Sequence, residues 1–368
     1  MDQLELSVIQ WSSRFSVTQL STQLLDPLHL PCTVSVMMGN RAWPELAHIA
    51  LHKRGPDVSQ VGTTWLGDLV ATDAVRPFTD EEVDSMGGEA AFLPSLWATT
   101  RLPMQKGYET WAMPWQADVR VIFYWRDILN DSGIDEESAF ETPQNVAQAM
   151  EKLRTSKVAA SWSIWASSRA TALQNAASWI WEAGGDFLSH DGRRVLFDQP
   201  EARRGLASFL SLARRHAPPG HTLALQDHSV TERFAKRQAA IAMGPCRWLM
   251  AIRAQATVSD VDAKLGIAPP PGPAFVGGSN LIVWQHTRHL QEAIDLVRLL
   301  TSREAQIDLR LLRSVPTREE VLAEPPYTNI AHFRVIAQAL ESGRPFPVYI
   351  KWGTVENALA DLLEYLWE

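Results

Sequence analysis

Apolar and polar positions near the N-terminus alternate first with a period of two and then with helical spacing. Leu4-Glu5-Leu6-Ser7-Val8-Ile9 alternates and reads as a strand. The β-prone run 32–37 (CTVSVM) predicts a second strand, and 57–61, ending at Gly62, a third. Helices are predicted over 16–25 and over 43–52, the latter with Leu46, Ile49 and Ala50 on one face, and another starts near Trp65. A β-α-β-α-β order of this kind implies a parallel sheet with right-handed crossovers.

The pattern shifts after residue 110. Trp111-Ala112-Met113-Pro114-Trp115 leads into a strongly β-prone run over 119–125. Thr142-Pro143 predicts a helix start, with Thr as the N-cap and Pro at the first helical position, and Val146, Met150 and Leu153 mark the buried face. Further helices are predicted over 171–183, 199–215 and 229–236, and strands over 239–243 and 265–268. Pro269-Pro270-Pro271-Gly272-Pro273 is a turn or linker, and Gly277-Gly278-Ser279-Asn280 precedes a strand over 281–284. Helical spacing returns over 289–300, 302–312, 317–323 and 354–367. The chain carries no internal repeat.

Length and composition narrow the classes. A chain of 368 residues predicts two domains. It is 46% apolar and 21% charged, ordinary for a globular protein with a sizeable core. The net charge of -8, spread without acidic or basic blocks, argues against nucleic acid and anionic membrane surfaces as partners. Met1-Asp2-Gln3-Leu4-Glu5 lacks the features of a signal peptide. Two placements therefore stay open: an exported protein whose signal has been removed, or a cytoplasmic one if Met1 is the natural start. Cys32 and Cys246 match no metal spacing and read as free thiols. The 15 tryptophans are more than a core needs, and an indole face suits the C–H face of a sugar ring.

Motifs for catalysis are missing. There is no GxGxxG, Walker A loop, HExxH or GxSxG, and no histidine pair at i,i+4 encloses a carboxylate. Asp80-Glu81-Glu82 follows Thr79 and reads as a helix start, where negative charge suits the dipole. The sequence calls for no cofactor and no metal. A glycoside hydrolase with two unadvertised carboxylates remains an alternative.

Several segments, in order along nearly the whole chain, resemble the family 1 extracellular solute-binding proteins of ABC transporters, the group of maltose-binding protein. The run 56–65 (PDVSQVGTTW) resembles the family's strand and ligand-facing loop, and 113–121 (MPWQADVRV) its crossover into a second lobe. Trp181-Glu182-Ala183-Gly184-Gly185-Asp186-Phe187 and 197–202 (FDQPEA) look like the helix ending in a double glycine, a short hairpin and the next helix. The run 234–244 (FAKRQAAIAMG) with Trp248 fits another family pattern, with Arg237 where glycine is usual. Gly277-Gly278-Ser279-Asn280, 302–306 (SREAQ) and Pro316-Thr317 complete the series.

The resemblance implies an α/β, two-lobed periplasmic-binding-protein-like fold of type II, with a ligand cleft between the lobes. Residues 1–114 with 264–312 would form the first lobe and 115–263 with 313–368 the second. It implies a monomeric, non-enzymatic substrate-binding protein, periplasmic or anchored outside the cell, that captures a mono- or oligosaccharide by interlobe closure for ABC permease subunits. A cytoplasmic ligand sensor of the same fold is the alternative, and polyamine, phosphate-ester or peptide ligands remain open. Candidate stacking faces are Trp11, Trp65, Trp115, Trp181, Trp248 and Trp352. Candidate polar contacts are Ser12, Ser13, Thr64, Asp118, Ser279 and Asn280, with Gly278 letting the backbone come close.

Overall fold

The fold is described from a computed structural model, over residues 3–10, 31–105, 107–155, 159–164, 169–216, 227–309 and 314–367. The predicted helix over 16–25 lies outside the described residues. Along the chain the first elements are β1 (Leu4–Gln10), β2 (Cys32–Met38), α1 (Ala42–His52), β3 (Val58–Gly62), α2 (Leu66–Val70), β4 (Val75–Arg76), α3 (Asp80–Ser85) and α4 (Pro94–Trp97). The hairpin β5 (Arg101–Met104) and β6 (Gly107–Thr110) precedes the long strand β7 (Met113–Trp125). Then come α5 (Arg126–Asp131), α6 (Pro143–Leu153), β8 (Ala160–Ile164), α7 (Arg169–Glu182), α8 (Pro200–His216), α9 (Asp227–Ala235), β9 (Ala239–Pro245), α10 (Trp248–Gln255) and α11 (Val261–Lys264). The last elements are β10 (Leu265–Ala268), β11 (Val276–Trp284), α12 (Leu290–Leu300), α13 (Arg303–Asp308), α14 (Glu319–Leu322), α15 (Ala331–Ser342) and α16 (Trp352–Trp367).

These elements form two compact units. The first comprises Met1–Asp118, Val276–Pro325 and Pro345–Gly353, and the second Val119–Phe275, Pro326–Arg344 and Thr354–Glu368. The division differs from the one expected from sequence in four places: residues 115–118, 313–325 and 345–353, expected in the second lobe, belong to the first unit, and 264–275, expected in the first, belongs to the second. β10, expected in the first, pairs antiparallel with β7 over Ile122–Trp125 and so belongs to the second. Residues 345–353 return to the first unit, because they pack on α2: a Cβ on Gly67 would lie 2.1 Å from the Tyr349 carbonyl oxygen.

In the first unit β2, β1 and β3 run parallel, and β11 is antiparallel to β3, with β4 on its far end. Period-two alternation assigns each residue to a face. Leu6, Val8, Val58, Leu281 and Val283 enter one core with Ile294, Val297 and Leu300 of α12. Ile9, Val61, Ile282 and Trp284 enter the other with Ala42, Leu46 and Ala50 of α1. Both faces are covered, as a parallel sheet requires. The carboxylate run after Thr79 is a helix start: Thr79 accepts from the Glu82 amide, while Glu82 accepts from the Thr79 amide and from Arg76.

In the second unit β9 is fully buried, parallel to β8 and antiparallel to β7. Thr142 caps α6 by accepting from the Asn145 amide. The two glycines after α7 have different tasks. Gly184 takes a left-handed φ of 80°, the usual helix stop, whereas Gly185 lets α8 approach, since a Cβ there would lie 2.5 Å from the Ala202 backbone. Arg237, where glycine is usual, has a φ of 58°. Its guanidinium donates to both Asp127 oxygens at 2.9 Å and lies over the Trp125 ring at 5.0 Å, which offsets the strain of the left-handed backbone.

Candidate functional site

Parallel strands place their carboxyl ends along one edge of a sheet. In the first unit that edge carries the ends of β1, β2 and β3 at Gln10, Met38 and Gly62. Open α/β sheets present their ligand sites beyond such an edge. The turn after β2 runs directly into α1 and brings Trp43 there, and the turn after β3 brings Thr63, Thr64 and Trp65. The two indoles meet, with ring centroids 5.8 Å apart and planes tilted by 55°. Both are half-buried, with their inner faces on the core that contains Leu46 and Leu66. Gly62 makes room for this, because a Cβ there would lie 3.1 Å from the Trp65 ring.

A polar network stands beside the pair. Gln60, 1% exposed, accepts from the Ile9 amide at 2.7 Å and donates to the Ser279 hydroxyl at 2.7 Å and to Gln116 Oε1 at 3.3 Å. The Gln116 Nε2 donor is buried and has no partner among the described residues. Gly278, with φ 126°, passes close to that strand: a Cβ there would lie 2.0 Å from the Gln116 carbonyl oxygen, and its own carbonyl accepts from the Thr63 amide at 3.3 Å. Asp68 at the start of α2 accepts from the Gly353 amide at 2.9 Å, and burial raises its carboxyl pKa. Aromatic faces, hydroxyls and amide donors at a strand-end edge can stack on and hydrogen-bond a small polyhydroxylated solute.

The residues expected from sequence fall into three groups. Trp11, Ser12 and Ser13 lie outside the described residues. Thr64, Trp65, Gly278 and Ser279 come together at the edge just described, and Asp118 is a half-buried residue of β7 at the end of the first unit's opening segment. The others have structural neighbours within their own units. Trp115 is in the first unit's core, and its carbonyl accepts from buried Gln306. Asn280 donates to the Thr99 carbonyl and hydroxyl. Trp352 packs on Phe346, with ring centroids 5.2 Å apart. Trp248 covers Gly244, where a Cβ would lie 2.3 Å from its ring, and it stacks on Phe123. Trp181 lies under the Arg344 guanidinium, which also binds Asp186. Trp43, Gln60 and Gln116 were not singled out from sequence. The signal for Trp43 was its place directly after a strand and a Gly-Asn-Arg turn.

Neither Cys32 nor Cys246 is in a disulfide, and burial pushes the Cys32 thiol up to about 11, so it is a poor nucleophile. Among the described residues no helix is long and apolar enough to cross a membrane.

The fold and this edge define a two-unit α/β protein of the solute-binding class. Residues 32–335 match the model of the bacterial extracellular solute-binding protein family, and the chain belongs to that family. A probable ABC transporter-binding protein of Deinococcus radiodurans is 27% identical over 205 residues, 53% of this chain and 48% of that one. The chain thus spans about half the length of this relative. Among solved structures, an ABC transporter solute-binding protein of Thermotoga lettingae bound with α-D-tagatose superposes with a TM-score of 0.85 at 16% identity, covering 100% of this chain and 94% of that chain. The sugar-binding protein MalE of Xanthomonas citri gives 0.82 at 17% identity, covering 99% and 92%. These likenesses establish the fold.

Proposed function

We propose that this chain captures a mono- or oligosaccharide outside the cytoplasmic membrane and delivers it to the permease subunits of an ABC importer, acting as a monomer and making or breaking no bond. The observation that carries the reading is the half-buried Trp43–Trp65 pair, with Thr64 beside it, at the carboxyl ends of three parallel strands. Indole faces hold the apolar face of a pyranose, and hydroxyl and amide groups such as Thr64, Ser279 and Gln116 serve its hydroxyls. Structural relatives support the choice of solute: one is bound with tagatose and another is described with acarbose. Among the described residues, no group of three or more His, Cys, Asp and Glu side chains suited to a metal ion competes with this reading.

A thermal-shift screen over a saccharide library tests it. A bound sugar raises the unfolding temperature as its concentration passes Kd. Removing one indole face, about 100 Å² of apolar contact at roughly 25 cal/mol per Å², should weaken binding by about 2 kcal/mol, or some 30-fold. Trp65→Ala should show that loss by calorimetry while remaining folded. No shift with any saccharide, or cleavage products after incubation with oligosaccharides, would overturn the proposal.

A further inference from the structure

α1 carries a feature that sugar capture does not use. His48 and His52 lie one helical turn apart on its exposed face, with ring centroids 4.2 Å apart and planes tilted by 50°. We infer that this pair binds one divalent late first-row transition-metal ion. Among the described residues neither imidazole has a hydrogen bond or ion pair to another group.

The pair is held in place from behind. Ala42, Leu46 and Ala50 on the opposite face are at most 2% exposed and anchor α1 in the core, so the two imidazoles share one rigid backbone. Binding therefore orders only side-chain torsions. Of the cations near the pair, Lys53 pairs with Asp73 at 3.9 Å. Glu45, one turn before His48, adds negative charge to the same side of the helix without joining the pair as a ligand.

The spacing also selects the ion. An imidazole nitrogen lies about 1.1 Å from its ring centre and about 2.1 Å from a bound metal, which puts the metal about 3.2 Å from each centroid. With each ring directing one nitrogen at a shared ion and the centroids kept 4.2 Å apart, the N–metal–N angle would be roughly 80°, close to the right angle of a tetragonal site and far from a tetrahedral one. That geometry, with nitrogen donors and water in the other positions, suits Cu²⁺ and Ni²⁺ better than Zn²⁺. No third ligating side chain is gathered with the pair among the described residues, so the ion would keep several waters and exchange readily.

Calorimetric titration of the full chain with NiCl2, CuCl2 and ZnCl2 at pH 7.5 tests this, with His48→Ala, His52→Ala and the double variant as comparators. Both substitutions sit on an exposed helix face and favour helix, so the variants should fold. The wild type should take up Ni²⁺ at one site that either single variant weakens at least tenfold, because each turns a chelate into a single ligand. Cu²⁺ and Ni²⁺ should bind more tightly than Zn²⁺. Equal Ni²⁺ affinity in wild type and double variant would overturn the site, and tightest binding of Zn²⁺ would overturn its tetragonal geometry.

Discussion

Replacing Gln60 by Met tests whether a single amide joins three segments of the first unit. Met is unbranched and close to Gln in volume, so packing is retained and the polar group is lost. β1 and β3 pair only at Leu6–Val58 and Ser7–Ser59, and beyond that the Gln60 side chain extends the ladder by accepting from the Ile9 amide. Without it a buried N–H loses its acceptor, which costs about 2 kcal/mol. The Ser279 hydroxyl loses its donor but can rotate, adding about 0.5 kcal/mol, and the 3.3 Å contact to Gln116 adds little. The sum is about 2.5 kcal/mol, and for a unit of this size calorimetry should show its unfolding transition about 5–10 °C lower.

Gln60→Glu separates hydrogen bonding from packing. A protonated Glu can both donate and accept, as Gln does, while an ionised one is a buried charge whose pKa burial raises. That variant should be much less stable than wild type at pH 8 and approach it near pH 4. A Met variant within 1 °C of wild type, together with a Glu variant whose deficit does not change with pH, would refute the assignment of this role to Gln60.

Other consequences follow from single contacts. Gly67→Ala would put a Cβ 2.1 Å from the Tyr349 carbonyl oxygen and push residues 345–353 off α2, with loss of the Gly353–Asp68 bond. The expected cost is about 2–4 kcal/mol, visible as a lower unfolding temperature and faster proteolysis within 345–353. His332 is buried, donates from Nε2 to the Leu265 carbonyl and accepts at Nδ1 from Arg253, and burial and the neighbouring Arg253 and Arg126 lower its pKa against the opposing pull of the Leu265 carbonyl and Asp262. The unfolded chain therefore takes this proton first, so the stabilisation is present above about pH 6.5 and is lost as the pH falls below it, and denaturant midpoints from pH 8 to 5 should fall less steeply in His332→Gln. Arg237→Gly relieves left-handed strain but loses the Asp127 pair and the contact with Trp125, so its stability should lie within about 1 kcal/mol of wild type, whereas Arg237→Ala keeps the strain and should lose about 2 kcal/mol by urea denaturation.

Local code was legible in the chain. Thr142-Pro143, Thr79 with Glu82, and the glycine ending α7 act over three or four residues, and each forms the cap that its residues call for. The alternation of β1 and the runs of β2 and β3 were equally plain, because period two follows from the pleat alone. Arg237 stood out as a departure, but only the fold supplied Asp127 and Trp125, which make it tolerable.

The sequence by itself determined many of the elements and the family pattern, since these depend on residues close along the chain, whereas the β5–β6 hairpin, β8 and α15 were not read from it. Which tryptophans keep a face near solvent was decided by tertiary structure. An indole is large, apolar and polar at one tip, so the same residue type serves a core or a ligand edge. Trp115 and Trp248 became core, whereas Trp43 and Trp65, 22 positions apart, met because parallel pairing brings the ends of β2 and β3 to one edge. Gln60 joined Ile9, Gln116 and Ser279 for the same reason: contacts between distant segments are written in the packing of the sheet and in no local pattern.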